Sequence, residues 1–239
     1  MFKCWPRDDN PLSKVVLLLL MVGFSSVNAQ QKKKYSNEEI QAIRQMEELE
    51  FNKEKNDLVE MVSDYEHIHR IASILKKDSV LLSQLPSVFP LIQNSYKKLT
   101  ISSTYGYRWH PVSGHKKFHN GIDIPQKKGT PIYATATGII QFTGYSKDHL
   151  GVFIKIRHRY GFETIYGHLS AYNVIPGEVV RQGQMIGRVG STGLSTGNHL
   201  HYIIRKNGKE VNPYRYCYLK LDLYNEEKSK IFSQVDRSK

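Results

Sequence analysis

Two short stretches, far apart in the chain, carry residue types that bind metals. In His119-Asn120-Gly121-Ile122-Asp123 an imidazole and a carboxylate stand four residues apart, and in His199-Leu200-His201 two imidazoles stand two apart. Together they supply nitrogen and oxygen donors of the kind that hold zinc while leaving coordination positions open for water. The chemistry they point to is that of a catalytic metal site.

Spacing constrains how each stretch folds. A helix over 119–123 would put both donors on one face, but Gly121 inside it and Pro125 behind it argue against one. In a straight strand four residues span roughly 13 Å, too far for one ion, so the chain must bend between His119 and Asp123. Asn120-Gly121 is the pair that bends most readily. His199 and His201 read as strand residues on one face, about 6.6 Å apart, so either both ligate or one ligates while its neighbour leans over the metal.

The elements that must position these residues follow from periodicity. From Ser36 to about Leu85 the pattern is helical, with Ser36 and Glu39 as a capping box and Leu58, Met61, Tyr65, Ile68, Ala72 and Leu75 in a heptad-like rhythm. This predicts a helical hairpin or short coiled coil, broken in the polar run from Asn52 to Asp57. His67 and His69 also read as His-x-His, but two residues apart on a helix they point about 200° apart, so they are assigned to solvent or helix packing. Pro86 and Pro90 end the helical region, and from Leu99 onward the period changes to two. Short strand-like runs separated by glycine follow, closing with a hairpin in which Leu200 to Arg205 turns at Asn207-Gly208 with Glu210 to Asn212 beyond it. The expected fold is mainly β, an antiparallel β-sheet sandwich or half-open barrel preceded by an α-helical, coiled-coil-like segment. The corresponding divisions are a leader over 1–29, the helical segment over 30–95, the metal-site domain over 96–216 and a charged tail over 217–239. The tail reads equally as a short helix or as disorder.

The formal net charge is +12, which favours acidic partners such as nucleic acid, an anionic lipid surface or an acidic cell-wall polymer. The chain carries no zinc-finger pattern, basic region feeding heptads or Gly-rich phosphate loop, which argues against nucleic acid. Lys3, Arg7 and Lys14 lead into an apolar run from Val15 to Phe24, and Val27-Asn28-Ala29 offers a cleavage site. These features read as a signal peptide, so the protein is expected in the periplasm, cell envelope or extracellular space. It is then not an integral membrane protein; an uncleaved anchor is the alternative. After cleavage Cys217 is the one cysteine left, with no partner for an internal disulfide, and it reads as a buried, inert thiol.

Six blocks in fixed order carry a resemblance. They are Tyr105-Gly106-Tyr107-Arg108-Trp109-His110-Pro111, His119-Asn120-Gly121-Ile122-Asp123-Ile124, Gly129-Thr130-Pro131-Ile132-Tyr133-Ala134, Tyr166-Gly167-His168-Leu169, Gly183-Gln184, and Gly190-Ser191-Thr192-Gly193 through Ser195-Thr196-Gly197-Asn198-His199-Leu200-His201. With them, residues from about 100 to 214 resemble the lysostaphin-like (LytM-type) zinc metallopeptidases, which cut peptide cross-links in bacterial peptidoglycan. The resemblance implies one zinc ion (Zn2+) held by His119, Asp123 and His201, with His168 and His199 beside it as catalytic histidines. It implies peptidoglycan stem peptides as substrate, with zinc polarising the scissile carbonyl and lowering the pKa of its water. The H-E-x-x-H motif is absent, so proton transfer must fall to something other than its Glu, and imidazole titrates in the right range. The two histidines that the resemblance implies, His168 and His199, are expected to share proton transfer and oxyanion stabilisation, the sequence not deciding which does which. Tyr105 stands where Phe is usual, and Tyr202-Ile203 where Phe-Glu is common, which bears on the support or polarity of the groove.

Plainer readings stand beside these. His110 or His115 could replace a ligand, His149 and His158 read as surface histidines, and the glycines from Gly190 to Gly197 either form turns or let substrate backbone approach. A non-cleaving envelope module that activates a cell-wall amidase is the alternative function. A biotinyl- or lipoyl-like carrier, suggested by Val180 to Gly187, lacks the modified lysine. The helical segment is expected either to shield the groove or to bind an envelope protein partner. Residues around Tyr145 to Gly151 are expected to select between Gly-Gly and D-Ala–diamino-acid bonds.

Overall fold

The computed structural model describes residues 37–75, 78–92, 100–109, 114–147 and 149–237. The leader, Ser36 of the capping box and His110 lie outside them. Contacts group the chain into a unit ending at Ile71 and a second unit, Ala72–Lys239.

The described part of the first unit is helical. Helix α1 spans Asn37–Met61 without interruption, so the break expected between Asn52 and Asp57 is not there. That run is rich in Lys and Glu, which are good helix formers, and Asn52 accepts a hydrogen bond from Lys55 Nζ at 2.8 Å one turn on. The chain breaks instead at Val62–Asp64, before α2 (Tyr65–Ile74). Asp64 caps this helix, accepting from the His67 backbone amide at 3.0 Å while its second oxygen lies 2.6 Å from His67 Nδ1. The heptad-like seam therefore does not run along one helix. Met61 is 58% exposed, whereas Val59, Val62 and Ile71 are buried, as are Leu58, Ile68 and Ala72.

Among the described residues the second unit has twelve strands: β1 (Gly106–Trp109), β2 (Lys116–His119), β3 (Ile122–Pro125), β4 (Pro131–Tyr133), β5 (Gly138–Ser146), β6 (Gly151–His158), β7 (Phe162–Gly167), β8 (Leu169–Tyr172), β9 (Val179–Val180), β10 (Met185–Val189), β11 (His199–Lys206) and β12 (Lys209–Val211). Every pairing is antiparallel. A seven-stranded sheet runs β12-β11-β7-β6-β5-β9, with β3 also on β11, and a three-stranded sheet runs β4-β10-β8; β1 and β2 pair as a hairpin. The chain is mainly β, as its period-two pattern predicts. The Asn207-Gly208 turn has φ of 50° and 76°, the left-handed pair that joins strands with matching twist.

Alternation sorts the large sheet's faces. Along β11, Leu200, Tyr202, Ile204 and Lys206 are buried on one side, while His199, His201, Ile203 and Arg205 line a cavity on the other. The three-stranded sheet closes over the buried side, with Ile154 of β6 against Gly187 of β10. A polar chain runs through this core. The His158 Nδ1–H donates to the Thr137 carbonyl at 2.9 Å, and its Nε2 lies 2.7 Å from Thr164 Oγ1. Thr164 Oγ1 lies 3.2 Å from the Tyr166 hydroxyl, which lies 3.0 Å from Thr135 Oγ1, itself 2.8 Å from the Tyr202 hydroxyl. His158 is thus a core histidine and not a surface one. It ends a strand whose inward positions hold Ile154 and Ile156, and both ring nitrogens are partnered. Burial pushes its pKa down to about 4, against the pull of its bond to Thr137.

Two further helices frame this unit. Asp78 caps α3 (Ser79–Gln84) by accepting from the Leu81 amide at 2.8 Å. The Gln182 side-chain amide ties the end of α3 to the sheets, donating to the carbonyls of Leu82, Leu85 and Thr135 at 3.3, 3.3 and 3.0 Å. Helix α4 spans Pro213–Arg237, so the charged tail is helical as far as Arg237. Asn212 accepts from the Tyr214 amide at 3.1 Å, and Pro213 occupies the first helical position, where its missing N–H costs nothing. Tyr216 packs edge-on against Phe162, and Cys217 is buried, its thiol pushed up by burial. No helix among the described residues is long and apolar enough to cross a membrane.

Candidate metal centre

The expected ligands are brought together by register. His201 of β11 lies directly opposite Asp123 of β3 on one side and Gly167 of β7 on the other. Directly opposed residues share a face, so the Asp123 carboxylate and the His201 ring meet, with His201 Nδ1 2.7 Å from Asp123 Oδ1. His119 ends β2 and the chain bends at Asn120-Gly121 into β3, as the spacing requires. Gly121 is needed for closeness, not for an unusual φ: a Cβ there would lie 2.5 Å from the Tyr202 carbonyl oxygen and 2.9 Å from His201 Cε1. The bend therefore lies flat on β11. It carries His119 Nε2 to 3.2 Å from His201 Nδ1 and 3.3 Å from Asp123 Oδ1.

These donors suit a tetrahedral ion. Bonds of about 2.0–2.1 Å to zinc imply donor–donor edges of roughly 3.3 Å. Two edges have that length, and the third is a carboxylate–imidazole hydrogen bond. Burial alone would push the Asp123 carboxyl up, but hydrogen bonds and charge from His119 and His201 outweigh it and hold the group well below the usual carboxylate range. Burial also holds His201 below an ordinary imidazole, against the pull of Asp123. Donors in these protonation states are ready to ligate.

His168 and His199 stand over the cluster. Their ring centroids are 4.7 Å apart, and the His168 ring is 5.6 Å from that of His201. His168 takes a left-handed φ of 60°, held by its amide donating to the Leu150 carbonyl at 2.7 Å. Three rings are oriented by main-chain carbonyls, which can only accept. Nδ1 of His119 donates to Thr104 at 2.8 Å, that of His168 to Thr192 at 2.8 Å, and that of His199 to Gly197 at 2.9 Å. Each keeps a bare Nε2. Burial pushes the His168 pKa down to about 4, with His199 and His201 adding to the shift and the bond to Thr192 opposing it.

The cluster opens into a cavity of about 610 Å³ lined by, among others, Arg108, Lys117, Phe118, Ser146, Leu150 and Ser195. His149, read as a surface residue, is exposed but lies on this lining, while His115 is exposed and absent from it. Gly193 approaches the protein's own chain: a Cβ there would lie 2.3 Å from the Gly151 nitrogen, which packs the 190–197 loop on the first residue of β6. Tyr202 points into the core, and it is Ile203 that faces the groove. Sequence reasoning passed over Thr104, Thr192 and Arg108, whose Nη2 is 3.7 Å from Asp123 Oδ2.

Comparison with known proteins agrees with this geometry. The profile of Peptidase family M23 matches residues 117–213. The DD-carboxypeptidase/endopeptidase Mpg of Neisseria meningitidis serogroup B is 51% identical over 113 residues, 47% of this chain and 26% of that protein. The peptidoglycan DD-endopeptidase ShyC of Vibrio cholerae serotype O1 is 43% identical over 106 residues, 44% of this chain and 24% of that one. The chain thus spans about a quarter of the length of these curated relatives. Among solved structures, the catalytic domain of lysostaphin from Staphylococcus simulans is 33% identical, covering 50% of this chain and 92% of that one with a TM-score of 0.46. Ligand spacing, strand register and sequence identity lead to one assignment: residues 117–213 form a domain of Peptidase family M23.

Proposed function

We propose that the protein is an exported zinc endopeptidase that hydrolyses peptide cross-links of bacterial peptidoglycan. The observation that carries this reading is the convergence of His119 Nε2, Asp123 Oδ1 and His201 Nδ1 beneath the paired His168 and His199 rings, at the floor of an open cavity. Relatives named as peptidoglycan DD-endopeptidases support the substrate class, and the leader over 1–29 supports export.

His119, Asp123 and His201 would hold the ion, which when bound supplies a Lewis acid and a water of lowered pKa. His168 and His199 move the proton. Each has Nδ1–H committed to a backbone carbonyl and Nε2 bare, so each can accept a proton from the attacking water and return it to the leaving amine. With its pKa near 4, His168 is neutral at physiological pH and available as an acceptor. Once protonated, either ring is a donor to developing negative charge.

The test is zinc content and muropeptide release from purified sacculi. Wild-type protein is expected to bind one zinc ion and release muropeptides, and His201→Ala to lose both. Zinc-loaded wild type that releases nothing, or His201→Ala with full activity, would overturn the proposal.

A further inference from the structure

We propose that Arg108 forms a carboxylate-binding subsite beside the metal cluster, so that the preferred substrate bears a free carboxylate on the carbon attached to the scissile nitrogen. The inference rests on the peptidase reading and names its substrate class. A C-terminal D-alanine carries such a carboxylate, as does a cross-linked diamino acid with a carboxyl beside its acylated amine. The interior of a glycine bridge does not.

The argument begins with alternation. In β1 the side chains of Tyr107 and Trp109 are each 73% exposed, which turns Arg108 to the opposite face, the one shared with its cross-strand partner Lys117 and with His119. That face lines the cavity. The Arg108 guanidinium is poorly occupied there. Its Nη2 is 3.7 Å from Asp123 Oδ2, beyond hydrogen-bond length, and its Nε is buried without a partner. The other guanidinium on the cavity wall, Arg205, is committed to Glu210 through Nε at 3.3 Å and Nη2 at 2.9 Å.

Asp123 does not need Arg108 as its hydrogen-bond donor, since His201 already meets it at 2.7 Å. A buried, unpaired N–H is costly and persists where another requirement holds it. A planar fork of donors at the edge of the metal cluster matches a carboxylate in two-point contact. Lys117 on the same face adds positive potential.

The experiment compares N-acetyl-D-alanyl-D-alanine with its C-terminal amide, using the zinc-loaded full chain as wild type, Arg108→Lys and Arg108→Gln. kcat and KM are determined separately, zinc content is checked, and calorimetry measures binding of N-acetyl-D-alanine and of its amide. Wild type is expected to favour the acid by about tenfold to a hundredfold, mostly in KM, the size of one charge-assisted hydrogen bond. Arg108→Gln should bring the acid-to-amide ratio to near one with zinc retained, and Arg108→Lys should keep part of the preference. A ratio unchanged in Arg108→Gln, or zinc lost with both substrates affected alike, overturns the subsite and makes Arg108 a positioning residue for Asp123. Hydrolysis of neither peptide by wild type counts against the peptidase reading, and the calorimetric preference then decides the carboxylate subsite by itself.

Discussion

Replacing His158 by glutamine tests whether the buried polar chain sets the acid stability of the core. In the folded protein the His158 pKa is pushed down from 6.5 to about 4, whereas the unfolded chain titrates near the ordinary value. Between those limits the unfolded state binds the extra proton, so stability falls as pH falls through 6.5 and the loss levels off below about 4. A shift of this size corresponds to about 3 kcal/mol, with a slope approaching ~1.4 kcal/mol per pH unit in mid-window. The substituted amide would keep a donor for Thr137 and an acceptor for Thr164 but cannot titrate. His158→Gln is therefore expected to be less stable than wild type at pH 7.5, with the gap closing by about 3 kcal/mol at pH 4. Urea denaturation of metal-free protein at several pH values, followed by near-ultraviolet circular dichroism of the buried Tyr166 and Tyr202, measures both curves. Asp123, His168 and His201 titrate in both proteins and cancel in the comparison. Stabilities that run parallel to within ~0.5 kcal/mol from pH 7.5 to 4 would refute the reasoning.

Gly121→Ala should weaken zinc affinity at least about tenfold in chelator competition, because its Cβ would strike a backbone oxygen of β11 that cannot move without shifting His201; unchanged affinity would contradict the close approach. Tyr202→Phe should cost only about 0.5–1.5 kcal/mol in chemical denaturation and leave zinc binding intact, since Thr135 Oγ1 keeps Tyr166 as a partner. Loss of zinc there would show that the polar chain holds His201 in place.

Residue type and spacing marked 119–123 and 199–201 as candidate metal-binding stretches and required the Asn-Gly bend, but they left open whether His199, His201 or both ligate. It was the resemblance that singled out His119, Asp123 and His201, the three side chains that the register brings together. The reason for Gly121 was not legible, since it lies in how closely the bend approaches β11, a contact some eighty residues away in the chain. Arg108 lies in a stretch that carries the resemblance, but nothing local says which face of β1 it takes or what that face meets. The same ambiguity misassigned His158, because a strand end offers either face until its neighbours are known. Local chemistry was present but unread in two places. Asp64 with His67 marks the helix start that the polar run at Asn52 to Asp57 does not, and Asn212-Pro213 announces the terminal helix that charge density obscured.

His119, His168 and His199 are each steered by a peptide oxygen, from Thr104, Thr192 and Gly197. Their tautomers are thus inherited from the path of the main chain and survive any exchange of side chain at those three positions that leaves the path alone. The rim of the cleft can be rewritten residue by residue while the ring nitrogens beneath it keep their protons where the backbone puts them.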